Sequence, residues 1–259
     1  MFSKLKTYFS SKRRPAIRLW AVLVWLLVWQ VGAQILNEHL LLPTPVDVIK
    51  RLISLACTAD YWQRVLFTLW HIVFGLILGM AAGVLLGCVS ALSKIVKQLL
   101  APLMYVIKTI PVASFIILAL VWLDEETLGE FISFLICLPV FYVNTLSGIE
   151  SADGKLIEMT KMYRVGFVKR VRAVYLPAIA PYFLAALDVA VGLSFKSGTA
   201  AEVIAIPGGS IGEKLYRAKI YFETGDMLAW TITIVLMSAL TAFLLKHAVR
   251  ALLGRFHHE

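Results

Sequence analysis

The chain has 259 residues, of which 60% are hydrophobic and only 16% charged, and it carries a formal net charge of +9. Soluble domains carry about 25% charged residues, so too little polar surface is available to coat a water-facing globule. A soluble enzyme is excluded, lipid is the solvent for much of the chain, and the positive charge reflects membrane topology rather than nucleic-acid binding.

Residues 1–18 form a basic segment with Lys4, Lys6, Lys12, Arg13, Arg14 and Arg18. The apolar run that follows, 17–36, exceeds the ~7–15 residues of a signal-peptide core, so it predicts an uncleaved first span. A bilayer-crossing helix needs roughly 20 mostly apolar residues, and further runs of this kind occupy 66–92, 100–123, 128–149, 181–206 and 227–252. The expectation is an all-α polytopic membrane protein with six transmembrane helices, residues 19–259 forming one transmembrane domain. With the N-terminus inside, the inner segments hold Lys94, Lys97, the six basic residues between Lys155 and Arg172, and Lys246, Arg250 and Arg255. The acidic cluster Asp124, Glu125, Glu126 and Glu130 falls on the other side. The positive-inside rule therefore puts both termini in the cytoplasm.

Within the second run Gly75, Gly79, Gly83 and Gly87 recur every fourth residue. At 3.6 residues per turn they form a smooth stripe that lets another helix approach closely. Pro111 and Pro139 are expected to kink the third and fourth spans. Trp62, Trp70, Trp122 and Trp230 suit an interfacial belt at the outer boundary. Cys57, Cys88 and Cys137 match no metal-ligand spacing and are read as structural, so no metal site is expected.

Four ionisable residues interrupt the apolar runs: Lys108 in the third, and Asp188, Lys196 and Glu202 in the fifth. A charge in hydrocarbon costs at least about 2.5–3.5 kcal/mol, so each needs a partner or a water-filled path. Asp188 and Lys196 share a helix face but lie about 12 Å apart along the axis, too far to pair. Lys196, with Ser197 and Thr199, either meets an anionic or polar substrate, or pairs with a neighbouring acid or snorkels to the interface. Both readings stand. The glycine-rich segment 206–212 is read as flexible, a gate-forming loop or a docking surface on the outer side.

Between the fourth and fifth runs, 150–177 reads as a short helix, a turn and a second short helix ended by Pro177. Here the sequence resembles the EAA loop of binding-protein-dependent ABC importer permeases. Glu158, Met159 and Thr160 stand for Glu-Ala-Ala, and Val174, Leu176 and Pro177 for the closing Ile-x-Leu-Pro. Arg164 occupies the family's glycine position, and Gly166 is a candidate to carry the turn instead. Leu42-Pro43-Thr44-Pro45, the start of the second span from Thr68 to Gly75, and the segment from Lys196 through Glu202 are similar to the nitrate, sulfonate and taurine branch of these permeases.

The resemblance implies a type I importer permease in the bacterial cytoplasmic membrane, moving a small polar solute by alternating access, possible cargoes being a sulfonate, taurine or nitrate-like anion. It also implies a second permease chain as homodimer partner, two cytoplasmic ATPase subunits that grip the loop, and an external substrate-binding protein. The chain holds no GxxxxGK[ST], so ATP and Mg are expected on the ATPase subunits and no cofactor on this chain. The alternative, an ion-coupled secondary transporter, would need its own ion site and internal repeats.

Overall fold

The computed structural model describes residues 19–36 and 42–255, and the described residues are helical apart from short connections. The basic segment 1–18, with the first residues of the first apolar run, lies outside them. Helix α1 spans Leu19–Leu36 and α2 spans Pro45–Ala56. Thr44 caps α2 by accepting the Asp47 N–H, and Pro45 opens it without losing a needed donor. Then follow α3 (Ala59–Leu92), α4 (Lys94–Thr109), α5 (Val112–Ala119), α6 (Glu125–Glu150) and α7 (Gly154–Met162). A four-residue α8 (Phe167–Arg170) runs through a π turn (Val171–Tyr175) into α9 (Leu176–Ala205), and α10 (Ile211–Ile220) and α11 (Thr224–Arg255) complete the chain.

Four helical stretches are long and apolar enough to cross a membrane, and α4 with α5 makes a fifth if taken together. The packing register decides how to take that pair. Gly75, Gly79, Gly83 and Gly87 of α3 face the carbonyls of Glu130, Phe134, Leu138 and Tyr142 of α6. Both numberings climb together, so α3 and α6 are parallel. The segment between them must therefore return across the same thickness, which makes α4–α5 a broken crossing rather than a re-entrant loop. Helix α9 runs the other way, since Ser133 meets Ser194 and Gly148 meets Ile179. Helix α1, with 18 residues, is about 27 Å long, close to the ~30 Å hydrocarbon thickness.

Two expectations are corrected. The third run is not one kinked helix, because α4 and α5 meet at 100°. Pro111 disfavours helical backbone in the residue before it, and Ile110 is accordingly extended at φ −63°, ψ 131°. Pro139, by contrast, stays inside α6. Nor does Pro177 end a second short helix. Residues Phe167–Ala205 form a continuous 39-residue rod. The Leu176 N–H bonds Val171 O five residues back, and this widened turn accommodates the proline ring.

The core lies where α3, α6 and α9 meet, with Ile72, Leu76, Cys137, Phe141, Leu187 and Phe195 buried. Trp230 of α11 is buried as well and stacks on Tyr61 at 5.1 Å, so it leaves the expected interfacial belt. Trp62, Trp70 and Trp122 are exposed, as a belt requires.

Candidate translocation and coupling sites

The first candidate site lies at the break between α4 and α5. A cavity of about 250 Å³ sits in the elbow, walled by Lys108 at the end of α4, Ile110 and Val112 at the break, Pro139 and Val140 of α6, and Leu193, Lys196 and Ser197 of α9. Lys108 and Lys196, 88 positions apart in the sequence, thus line one chamber, and no Asp or Glu lines it. Among the described residues neither lysine makes an ion pair. Lys196 lies nine residues before the end of α9, about 14 Å along its axis. Two ammonium groups at one such cavity make it an attractive station for an anion and a repulsive one for a cation.

The second site is the loop at 150–177. Asp153 caps α7 by accepting the Lys155 N–H at 2.9 Å. Glu158 and Met159 are exposed, while Thr160 is buried and its hydroxyl donates to Ile157 O. The helix closes with the Val165 N–H on Thr160 O and the Arg164 N–H on Lys161 O, the paired bonds of a Schellman ending. That ending needs a left-handed residue, and Arg164 supplies it at φ 49°. Gly166 has φ −58°, so the expectation that it carries the turn is corrected: Arg164 itself takes the left-handed position. Met159, Met162, Tyr163, Phe167 and Val168 leave an apolar surface exposed around the turn. Val174 is buried, and Leu176 and Pro177 sit where the loop joins the rod of α9.

The sequence from Gly75 to His258 matches the family model described as the binding-protein-dependent transport system inner membrane component. The chain belongs to this family of importer permeases. The taurine transport system permease protein of Escherichia coli (strain K12) is 26% identical over 259 residues, covering 97% of this chain and 92% of that protein. A Bacillus subtilis (strain 168) permease named for aliphatic sulfonates is 24% identical, covering 87% and 82%. The nitrate import permease protein of Synechococcus elongatus is 27% identical, covering 78% and 75%. The chain is therefore a multi-pass membrane component of an ABC importer in the nitrate, sulfonate and taurine branch, and hydrolysis of ATP belongs to a separate subunit.

The remaining pathway candidates of the permease lie elsewhere. Asp188 pairs with Lys246 of α11. Thr199 is buried and its hydroxyl oxygen has no hydrogen-bond partner. Glu202 is drawn into the protein rather than toward the cavity. Its Oε2 accepts from Thr68 Oγ1 at 2.9 Å and from the Gly212 N–H at 3.2 Å, while Thr68 Oγ1 accepts from the Ile211 N–H at 3.0 Å. Glu202 thus ties α9 to α3 and to the first turn of α10, where a carboxylate also suits the helix dipole. Gly212 is needed there, because any Cβ would collide with Glu202.

The glycine-rich segment is pinned, which corrects the flexible reading. Ser210 caps α10 through the Glu213 N–H at 3.0 Å. Glu213 accepts from the Gly209 N–H and from Arg64 at 2.7 Å, and pairs with Arg217 at 2.6 Å. Burial raises the Glu213 carboxyl pKa, but these donors and positive charges outweigh it and hold the group below its ordinary value. Arg64 and Lys214 also bind Asp60. Sequence reasoning missed this anchor, although Ser210-Ile-Gly-Glu213 carries the S-x-x-E signature of a helix start.

Proposed function

We propose that the permease passes a small anion through the chamber lined by Lys108 and Lys196, as one half of a homodimer of six-span chains with both termini in the cytoplasm. The observation that carries this is the pair of lysines lining one cavity, neither in an ion pair among the described residues. Relatives named for sulfonates, taurine and nitrate agree with such a cargo. Ser197, buried beside Lys196 on the same wall, would add a hydroxyl donor.

The loop at 150–177 is the coupling element of the single transmembrane domain at 19–259. Helix α7 docks in a groove on the ATPase, which binds ATP and Mg, with Glu158, Met159 and the exposed apolar surface as its contacts. Arg164 closes α7, and Leu176 and Pro177 lie inside the rod Phe167–Ala205, about 58 Å long. Closure of the two ATPase subunits displaces the loop, and the rod carries that displacement to Lys196, so the chamber faces each side in turn. The external binding protein supplies the solute.

Two variants test this in liposomes containing the full importer. Lys196→Met is expected to lower uptake of a sulfonate probe at least about tenfold, with assembly intact, the size of one hydrogen bond to a charged group. Unchanged uptake would remove Lys196 from the pathway. Glu158→Ala is expected to abolish the stimulation of ATP hydrolysis by loaded binding protein, and full stimulation would remove Glu158 from the coupling contact.

A further inference from the structure

Helix α2 carries an apolar stripe that the packing of the bundle leaves outside. Val46, Ile49 and Ile53 fall on one face of the helix, and each keeps half or more of its surface exposed. The other faces are fixed. Val48 is buried, Leu52 and Leu55 pack against the core, and Arg51 binds both carboxylate oxygens of Asp226 on α11. Thr44 caps one end of the helix, and at the other the Trp62 indole N–H donates to Ala56 O at 2.9 Å. A helix held at both ends and along its polar side cannot roll to bury the stripe. With 12 residues it is about 18 Å long, too short to cross ~30 Å of hydrocarbon.

What adjoins the stripe identifies its occupant. Trp62, bonded to the last turn of α2, is followed at helical spacing by Leu66 and Trp70, all three exposed on one face of α3. That face belongs to a membrane-spanning helix, and beside it a groove of about 310 Å³ opens toward α11, its lining apolar apart from Thr241. Exposed apolar surface thus passes from the lipid-facing side of α3 to α2 through the Trp62–Ala56 contact. Lys50 is exposed at the edge of the stripe and makes no ion pair among the described residues. Three aliphatic side chains fall well short of the ~800 Å² per partner that a stable protein interface needs. We propose that α2 lies along the membrane surface and docks on phospholipid, with Val46, Ile49 and Ile53 in the acyl-chain boundary and the Lys50 ammonium at the headgroup phosphates. Interfacial helices bury their apolar face about 5–10 Å into that boundary while lysines snorkel to the charged level, and Trp62 is suited to the same level. Because Arg51 is tied to Asp226 in the first turn of α11, the lipid contact also fixes that end of the crossing.

The test is a spin-label scan of the permease assembled with its ATPase subunits in vesicles of phosphatidylethanolamine and phosphatidylglycerol. Single labels are introduced by Val46→Cys, Ile49→Cys, Lys50→Cys, Ile53→Cys and Ser54→Cys in a background carrying Cys57→Ser and Cys88→Ser, with Leu66→Cys as the acyl-chain reference. Collisions with oxygen, which concentrates among acyl chains, are compared with collisions with a water-soluble nickel chelate. Oxygen is expected to dominate at positions 46, 49 and 53 and nickel at 54, with 50 between them, so that the ratio follows the helical period of about 3.6 residues. Native Cys57, exposed where the stripe ends, gives a reading without any substitution in α2 should a variant fail to assemble, and it is expected on the oxygen side. Nickel dominating at every position of α2, Cys57 included, means that the stripe faces water and overturns the proposal. Exclusion of both reagents means that protein covers the stripe, a second copy of the chain where the labels broaden one another, and overturns it as well.

Discussion

The glycine stripe of α3 offers a graded test of the packing. A Cβ at Gly79 would lie 2.6 Å from Phe134 O and 2.8 Å from Cys137 Cβ, and at Gly83 2.5 Å from Leu138 O and 2.8 Å from Phe141 Cβ. At Gly87 the nearest atoms are Thr145 Cβ at 2.9 Å and Tyr142 O at 3.0 Å, whereas at Gly192 of α9 nothing lies within 4 Å. Alanine gains up to about 1 kcal/mol over glycine in a helix interior, and this gain is common to all four sites. The difference between sites therefore isolates the contact. Restoring ordinary separation at Gly79 or Gly83 parts α3 from α6 by roughly 0.8 Å, and a gap of that size forfeits a quarter to a half of each dispersion well along the stripe.

With overpacking at about 1–3 kcal/mol, Gly79→Ala and Gly83→Ala are each expected to lose about 1–2 kcal/mol net. Gly87→Ala should come near balance, and Gly192→Ala should be neutral or stabilised by up to about 1 kcal/mol. Thermal unfolding of the purified permease in detergent, followed by loss of the monodisperse species, ranks the four. The reasoning fails if Gly79→Ala is as stable as the parent, or if Gly192→Ala loses as much as Gly79→Ala.

Three further outcomes are expected. Glu202→Leu leaves the Gly212 N–H and the Thr68 hydroxyl without their buried acceptor and should cost about 2–4 kcal/mol, with Glu202→Gln much milder in the same unfolding assay; equal effects would deny the anchor. Arg164→Gly removes a side chain from a left-handed position and should raise stability by about 1 kcal/mol without lowering stimulated ATP hydrolysis, so a fall in stability would contradict the strain. Glu213 is held below its ordinary carboxylate value, so its stabilisation is complete above the unfolded value of about 4.3. It is lost as pH falls through the lower folded value. Stability measured downward from pH 5 should therefore decline less steeply in Glu213→Gln than in the parent, and identical slopes would remove Glu213 from the acid response.

Much of this architecture was legible in the residues themselves. Hydropathy located the long apolar helices α3, α6, α9 and α11, and the spacing around Glu158 and Pro177 pointed to the family. The four-residue glycine period announced a close helix contact and was right about its nature. It could not name α6 as the partner or say that the two run parallel. The anchoring role of Glu202 was illegible for a related reason: an acid in an apolar run can face a pathway or a neighbour, and Thr68 and Gly212 were identifiable as its neighbours only after folding.

What the sequence determined by itself is local and periodic: which segments are helical, which enter lipid, and which loop carries the family signature, because these depend on side-chain polarity and spacing along one chain. Tertiary structure decided what meets what. Ile110 and Pro111 turned a predicted kink into a 100° break, and Lys108 and Lys196 both line the cavity at that break. Arg164 took the left-handed turn although Gly166 stood two residues away, because the hydrogen bonds closing α7 dictate the position that must turn, whatever residue occupies it.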